Sequence, residues 1–60
     1  MSQIHKTAII EDGAIIGQNV TIGAYTIIGK DVKIGDGTTI GSHTLIEGKT
    51  TIGKNKDRKS

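Results

Sequence analysis

Residues 16–41 read IGQNVTIGAYTIIGKDVKIGDGTTIG, and the pair Ile-Gly recurs at every sixth position of this stretch. The isoleucine of the pair continues in both directions as one unbroken column, made of Ile4, Ile10, Ile16, Ile22, Ile28, Ile34, Ile40, Ile46 and Ile52. A short internal repeat of this kind is the sequence signature of a solenoid. A helix does not fit, because apolar residues spaced by six walk around a 3.6-residue turn instead of lining one face.

The neighbours of each isoleucine define a six-residue unit. The residue two places before it is small or β-branched: Ser2, Ala8, Ala14, Val20, Thr26, Val32, Thr38, Thr44 and Thr50. The residue three places after it is often one that tolerates φ > 0: Gly13, Asn19, Asp31, Gly37 and Asn55. Since residues two apart in a strand point to the same side, each unit predicts a short strand with an inward isoleucine, followed by a two-residue corner.

A second period of 18 residues predicts that three units close one coil. Two sets of residues recur at this spacing: Ile9, Ile27 and Leu45, and Thr7, Tyr25 and His43. We therefore expect a repeat domain over residues 1–55, with coils at about 4–21, 22–39 and 40–55. Residues 56–60 are interpreted as a basic tail or truncated end, because Arg58 stands where the next isoleucine is due.

The repeat unit resembles the hexapeptide repeat of the left-handed parallel β-helix acyltransferases. Its opening, residues 4–14 (IHKTAIIEDGA), is similar to the first coil of the UDP-N-acetylglucosamine O-acyltransferases of lipid A synthesis. Residues 22–29 and the Gly-Ser-His step at 41–43 fit the second and third coils of that family. The family often has proline where Lys6 and Ala24 stand, and this chain has no proline.

The resemblance covers residues 3–55 and implies an all-β fold, a left-handed parallel β-helix of about three triangular coils. It also implies a homotrimer that moves an acyl group from acyl carrier protein to UDP-N-acetylglucosamine without a cofactor. This chain corresponds to the N-terminal scaffold and trimer contact, inactive alone, because the family's catalytic histidine belongs to later coils. Two alternatives stay open: a fragment of another hexapeptide acetyl- or acyltransferase, and a non-enzymatic designed or structural β-solenoid.

One outward face is expected to form the trimer contact. Its outward residues are Ile9, Ile27 and Leu45, whereas the other faces show Ile15, Lys33 and Thr51, and Gln3, Thr21 and Thr39. An exposed apolar patch usually marks an interaction surface. We therefore predict an interface made of this stripe and of Tyr25 and His43 at the neighbouring corner.

No residue is assigned to catalysis, to a cofactor or to a metal. His43 is interpreted as a corner or interface histidine, because the resemblance places it in an early, non-catalytic coil, and His5 is interpreted as structural. Two histidines cannot form a three-histidine zinc site. The run at 35–40 has Ile40 where a phosphate-binding loop needs its third glycine, and no helix pattern follows.

The charge pattern excludes a basic nucleic-acid surface on the repeat. The formal net charge is +2, but residues 1–53 hold four lysines against five acids, and the positive excess lies in residues 54–60. The sequence has no cysteine, no apolar segment typical of a signal peptide and no apolar run longer than three residues. We expect a cytoplasmic protein that neither spans a membrane nor binds nucleic acid.

Overall fold

The structure, a computed structural model, describes residues 2–59, which form ten short strands. In chain order they are β1 (Gln3–Ile4), β2 (Ile9–Ile10), β3 (Ile15–Ile16), β4 (Thr21–Ile22), β5 (Ile27–Ile28), β6 (Val32–Ile34), β7 (Thr39–Ile40), β8 (Leu45–Ile46), β9 (Thr50–Ile52) and β10 (Asp57–Arg58). Each strand holds one position of the isoleucine column, with Arg58 as the tenth member. The six-residue unit of strand and corner is therefore confirmed.

The strands pair in parallel as three sheets, which are the faces of a triangular coil. Face 1 has the order β1-β4-β7-β10, face 2 the order β2-β5-β8, and face 3 the order β3-β6-β9. The strand pairings join residues 18 apart, such as Ile9 with Ile27 and Ile27 with Leu45. The chain is thus a left-handed parallel β-helix of about three coils, as expected.

The core is a column of aliphatic side chains inside the triangle. It consists of Val20, Ile22, Ile28, Val32, Ile34, Ile40, Ile46 and Ile52. Removing such side chains from water stabilises the fold by about 1.5–3 kcal/mol each. The isoleucine column is less well buried at the start of the chain. Ile4 is 44% exposed, and Ile10 and Ile16 are half-buried, because no coil lies beneath the first one among residues 2–59.

Buried hydroxyl groups join consecutive coils beside the isoleucines. The Thr38 Oγ1 donates to the Gly53 carbonyl at 2.6 Å and accepts from the Lys56 amide at 3.2 Å. The Ser2 hydroxyl makes the same two bonds, donating to the Gly17 carbonyl and accepting from the Val20 amide. A hydroxyl therefore enters the core without leaving an unpaired polar group.

The strand ladder extends past residue 55, where the sequence pattern placed the end of the repeat domain. Asp57 pairs with Thr39 and Arg58 with Ile40, which makes β10 the fourth strand of face 1. The backbone hydrogen bonds continue there because they do not depend on an apolar side chain. Residues 57 and 58 thus belong to the ladder although their side chains are exposed.

Candidate subunit interface

Face 2 carries an apolar stripe that runs the height of the coil stack. Ile9, Ile27 and Leu45 occupy adjacent outward positions on β2, β5 and β8. They are 56%, 39% and 56% exposed, so each presents much of its side chain to solvent. Face 3 combines one exposed aliphatic residue, Ile15, with Lys33 and Thr51 in the same column. Face 2 is therefore the face whose outward column is wholly apolar.

The corner between faces 1 and 2, called the first corner below, adds an aromatic pair to this stripe. Tyr25 and His43 lie one coil apart, with their ring centroids separated by 5.3 Å and their planes inclined by 28°. Tyr25 is 61% exposed. Stacked aromatic rings present a broad and rigid surface at low entropic cost, which suits a contact with another protein.

Hydrogen bonds through successive coils hold the first corner in place. The Tyr25 amide donates to the Thr7 Oγ1 at 2.9 Å, and the His43 amide donates to the Ala24 carbonyl at 2.8 Å. The Nδ1 atom of His5 accepts from the Thr7 amide at 3.2 Å and lies 2.8 Å from the Thr7 Oγ1. His5 thus fixes the corner residue of the first coil, in keeping with its interpretation as structural.

Both aromatic corner residues have a left-handed backbone conformation, with φ of 57° at Tyr25 and 59° at His43. Asn19 and Asn55 adopt the same conformation at the equivalent place in other units. At His43 and Asn55 the corner amide donates to a carbonyl of the coil below. Bulky residues rarely occupy this region, so the first corner keeps its aromatic rings at some cost in backbone strain.

Close approach of the coils next to this corner requires glycine at position 23. A Cβ atom built there would lie 2.6 Å from the Ser42 nitrogen and 2.9 Å from the Gly41 carbonyl carbon. Because Gly23 has no side chain, the backbone at Ser42 packs closely against the coil below. Gly23 therefore helps to bring His43 within stacking distance of Tyr25.

The described residues show no catalytic constellation around His43. Within residues 2–59 its ring contacts Tyr25 and makes no side-chain hydrogen bond to an acid or a hydroxyl. No group of three or more His, Cys, Asp or Glu side chains in the same part of the chain is placed to hold a metal ion. No helix between residues 2 and 59 is long and apolar enough to cross a membrane.

The structure also shows a groove that the sequence analysis did not identify. It lies on face 3 and on the corner between faces 2 and 3, has a volume of about 330 Å³, and is lined by Gly13, Lys30, Asp31, Val32, Lys33, Lys49 and Thr51. Reading the 18-residue period at this corner would have placed Asp31 and Lys49 in one column. The same 18-residue spacing identified the apolar stripe of Ile9, Ile27 and Leu45.

Comparison with known protein families gives a match over most of the chain. The model for the bacterial transferase hexapeptide (six repeats) matches residues 13–48. This span includes parts of all three coils and most of the glycines that follow the isoleucine column. The match therefore rests on the repeat itself.

Two curated proteins are similar over shorter segments. The acyl-[acyl-carrier-protein]–UDP-N-acetylglucosamine O-acyltransferase of Aliarcobacter butzleri (strain RM4018) is 80% identical over 26 residues, which are 43% of this chain and 10% of that protein. The protein of the same name from Sulfurovum sp. (strain NBC37-1) is 64% identical over 25 residues, 42% of this chain and 10% of that protein. The matched segment thus spans about a tenth of either relative.

A solved structure extends the similarity to nearly the whole chain. The UDP-N-acetylglucosamine acyltransferase from Campylobacter jejuni superposes with a TM-score of 0.91 at 41% sequence identity, over 93% of this chain and 22% of that one. The three coils therefore have the shape of a β-helix segment within a longer acyltransferase.

Proposed function

Because the chain belongs to the bacterial transferase hexapeptide family, we propose that it acts as the N-terminal β-helix portion of a UDP-N-acetylglucosamine O-acyltransferase. The observation that carries this proposal is the agreement between two comparisons. The 80% identical segment and the structural match at 41% identity both lead to proteins of that name. The family model alone would fit many hexapeptide transferases, so these two matches decide between them.

In the proposed reaction an acyl group moves from acyl carrier protein to UDP-N-acetylglucosamine, as the names of the relatives state. We assign residues 2–59 to scaffold and subunit contact and give none of them a catalytic role. The support is that His43 stacks on Tyr25 and has no acid or hydroxyl partner in this part of the chain. We also propose a cytoplasmic location, with which a cysteine-free sequence is compatible.

The assembly we propose is a homotrimer whose contact is the interface patch, defined as Ile9, Tyr25, Ile27, His43 and Leu45. Its support is the exposed apolar column of face 2 beside the stacked pair of the first corner. Burying this column removes apolar surface from water, which stabilises association by roughly 25 cal/mol per Å². Patches of this kind on soluble proteins usually mark contacts.

The subunit contact is tested by Leu45→Lys, which places a charge at the third-coil end of the apolar column in the patch. We expect the wild type to elute as a trimer by light-scattering chromatography and the variant to have one third of that mass. Thr51→Lys is the matched control, because Thr51 is also an exposed outward residue of the third coil but lies on face 3. An unchanged mass for Leu45→Lys, with a wild-type far-UV spectrum, would contradict the interface.

The enzymatic assignment is tested by a chimera of the Campylobacter jejuni enzyme. Residues 3–58 replace the structurally matching coils of that protein, and transfer from acyl carrier protein to UDP-N-acetylglucosamine is measured. We expect kcat/KM within about tenfold of the parent, since misplacement of an active site by about 1 Å costs on the order of a hundredfold. A soluble, folded trimer with a larger loss would overturn the assignment to this transferase.

A further inference from the structure

The groove on face 3, described above, is the strongest candidate for a site that the proposed function does not use. Its lining contains Lys30, Lys33 and Lys49, which are three of the four lysines in residues 1–53. The fourth, Lys6, belongs to the first corner on another side of the coil. The basic residues of the repeat are thus concentrated at one groove although residues 1–53 are net acidic.

The side chains that line the groove are mainly basic. Three ammonium groups face one carboxylate, that of Asp31, in the lining, while Glu11, Asp12 and Glu47 stand at the same corner outside it. Among residues 2–59, none of the three lysines forms an ion pair. Cationic side chains of this kind attract an oxyanion, and their flexible stems let several ammonium groups reach one anion.

The shape of the groove follows from the backbone of the corner between faces 2 and 3. Gly13 has φ of +100°, and a Cβ atom there would lie 3.1 Å from the Lys30 carbonyl oxygen. In the third coil Gly48 takes the left-handed conformation one position earlier in its unit than Gly13 does. Buried Val32 belongs to the lining as well, so a hydrophobic residue lies beneath the exposed lysines.

We propose that this groove binds a phosphate group, with Lys30, Lys33 and Lys49 as its cationic contacts. The excess of ammonium groups over carboxylates in the lining favours an oxyanion such as phosphate. The volume of about 330 Å³ lies at the lower end of the range for small-molecule sites, so the ligand is a small phosphorylated compound. Thr51 also lines the groove, and a threonine hydroxyl is a possible further hydrogen-bond donor to an anion.

The groove and the interface patch have no residue in common. In a triangular coil the first corner lies opposite face 3, and face 3 provides Lys33 and Thr51. Lys30 and Lys49 lie at the corner that borders face 2, so the groove is a neighbour of the patch and not a part of it. The phosphate site does not depend on the proposed transferase activity and is tested independently of it.

The experiment is a titration of the ¹⁵N-labelled full chain with inorganic pyrophosphate at constant ionic strength, followed by amide chemical shifts. We expect saturable shifts confined to residues 30–33 and 49–51. Lys33→Gln and Lys49→Gln each should weaken binding about three- to tenfold, the effect of one charge in a solvated groove. Asp31→Asn should tighten binding, because it removes the opposing charge.

Lys6→Gln is the matched control, since it removes the same charge outside the groove and should leave the dissociation constant unchanged. Raising the concentration of sodium chloride should weaken binding in the wild type, because salt screens exposed charges. Linear, unsaturable shifts, or equal weakening by Lys6→Gln and Lys33→Gln, would overturn the site. Binding to vesicles that contain phosphatidic acid, without saturable pyrophosphate shifts, would also overturn it and indicate a lipid surface instead.

Discussion

Individual corner residues meet two requirements: the backbone must adopt a left-handed conformation, and at the first corner the side chain forms part of an exposed aromatic surface. Asn19 and Asn55 meet the backbone demand with a residue that tolerates φ > 0. Tyr25 and His43 adopt the same conformation although their side chains favour it less. The aromatic corner is therefore better explained by what its rings contact than by the needs of the turn.

Substitutions at His43 should separate these two demands. His43→Asn keeps a residue suited to the left-handed region and should lower the free energy of unfolding by less than about 1 kcal/mol, the scale of one lost aromatic contact. His43→Val introduces a β-branched residue there and should cost about 1–3 kcal/mol. Urea unfolding at one fixed protein concentration measures both. Equal losses in the two variants would contradict the strain argument.

The short strands and the close packing of consecutive coils explain why the six-residue repeat is so regular. Each strand contributes only two or three ladder residues, so the isoleucine must recur without a slip, and glycine follows it at six of nine positions. A one-residue shift would turn the isoleucine outward. The glycine permits the next coil to come close, as the 2.6 Å approach at Gly23 shows.

Alanine at two of these glycines should have opposite consequences. Gly23→Ala forces the backbone of Gly41 and Ser42 to move and should destabilise the fold by about 1–3 kcal/mol. At Gly53 a Cβ atom would meet nothing nearer than the Lys56 side chain at 3.5 Å, and φ is not positive. Gly53→Ala should therefore be neutral or stabilising by up to about 1 kcal/mol, because it restricts the unfolded chain. Thermal melts of the two variants check the contrast, and similar losses would contradict it.

The strands, the coil of 18 residues and the outward columns were predictable from the sequence because each follows from a fixed period. The left-handed conformation of Tyr25 was not, since tyrosine rarely adopts it, and that of His43 was not either, although histidine adopts it more often. Asp31, a favoured residue for that conformation, does not adopt it, and the Val32 amide there donates instead to the Gly29 carbonyl. The 18-residue spacing places Asp31 and Lys49 in one column, but the sequence alone does not show that Lys30 and Lys33 border the same groove.

The interface patch remains a prediction from the sequence. Its five residues are now seen to lie on one face and its corner, and their exposure is consistent with a contact. The role of the patch depends on how copies of the chain meet. Solution mass is therefore the measurement that tests it.

At the scale of the whole molecule, a small core has to support a chain of 60 residues. The fully formed core is a single column of eight aliphatic side chains, and the first coil leaves Ile4 open to solvent. Domains of about this size bury a smaller fraction of their surface than larger ones and are only marginally stable. Burying face 2 against other copies would add apolar contacts that one chain lacks.

Stability should consequently depend on protein concentration. If folding and trimer formation are coupled, mass action raises the Tm by on the order of 5–8 °C for each tenfold increase in concentration, given a typical enthalpy per residue. Calorimetry of the wild type over two decades of concentration measures this slope. The Leu45→Lys variant should lose this dependence of Tm on concentration and should have a lower Tm. The Thr51→Lys variant should keep the dependence. A wild-type Tm independent of concentration would mean that the three coils are stable alone, and the interface patch would then need another partner to explain its exposure.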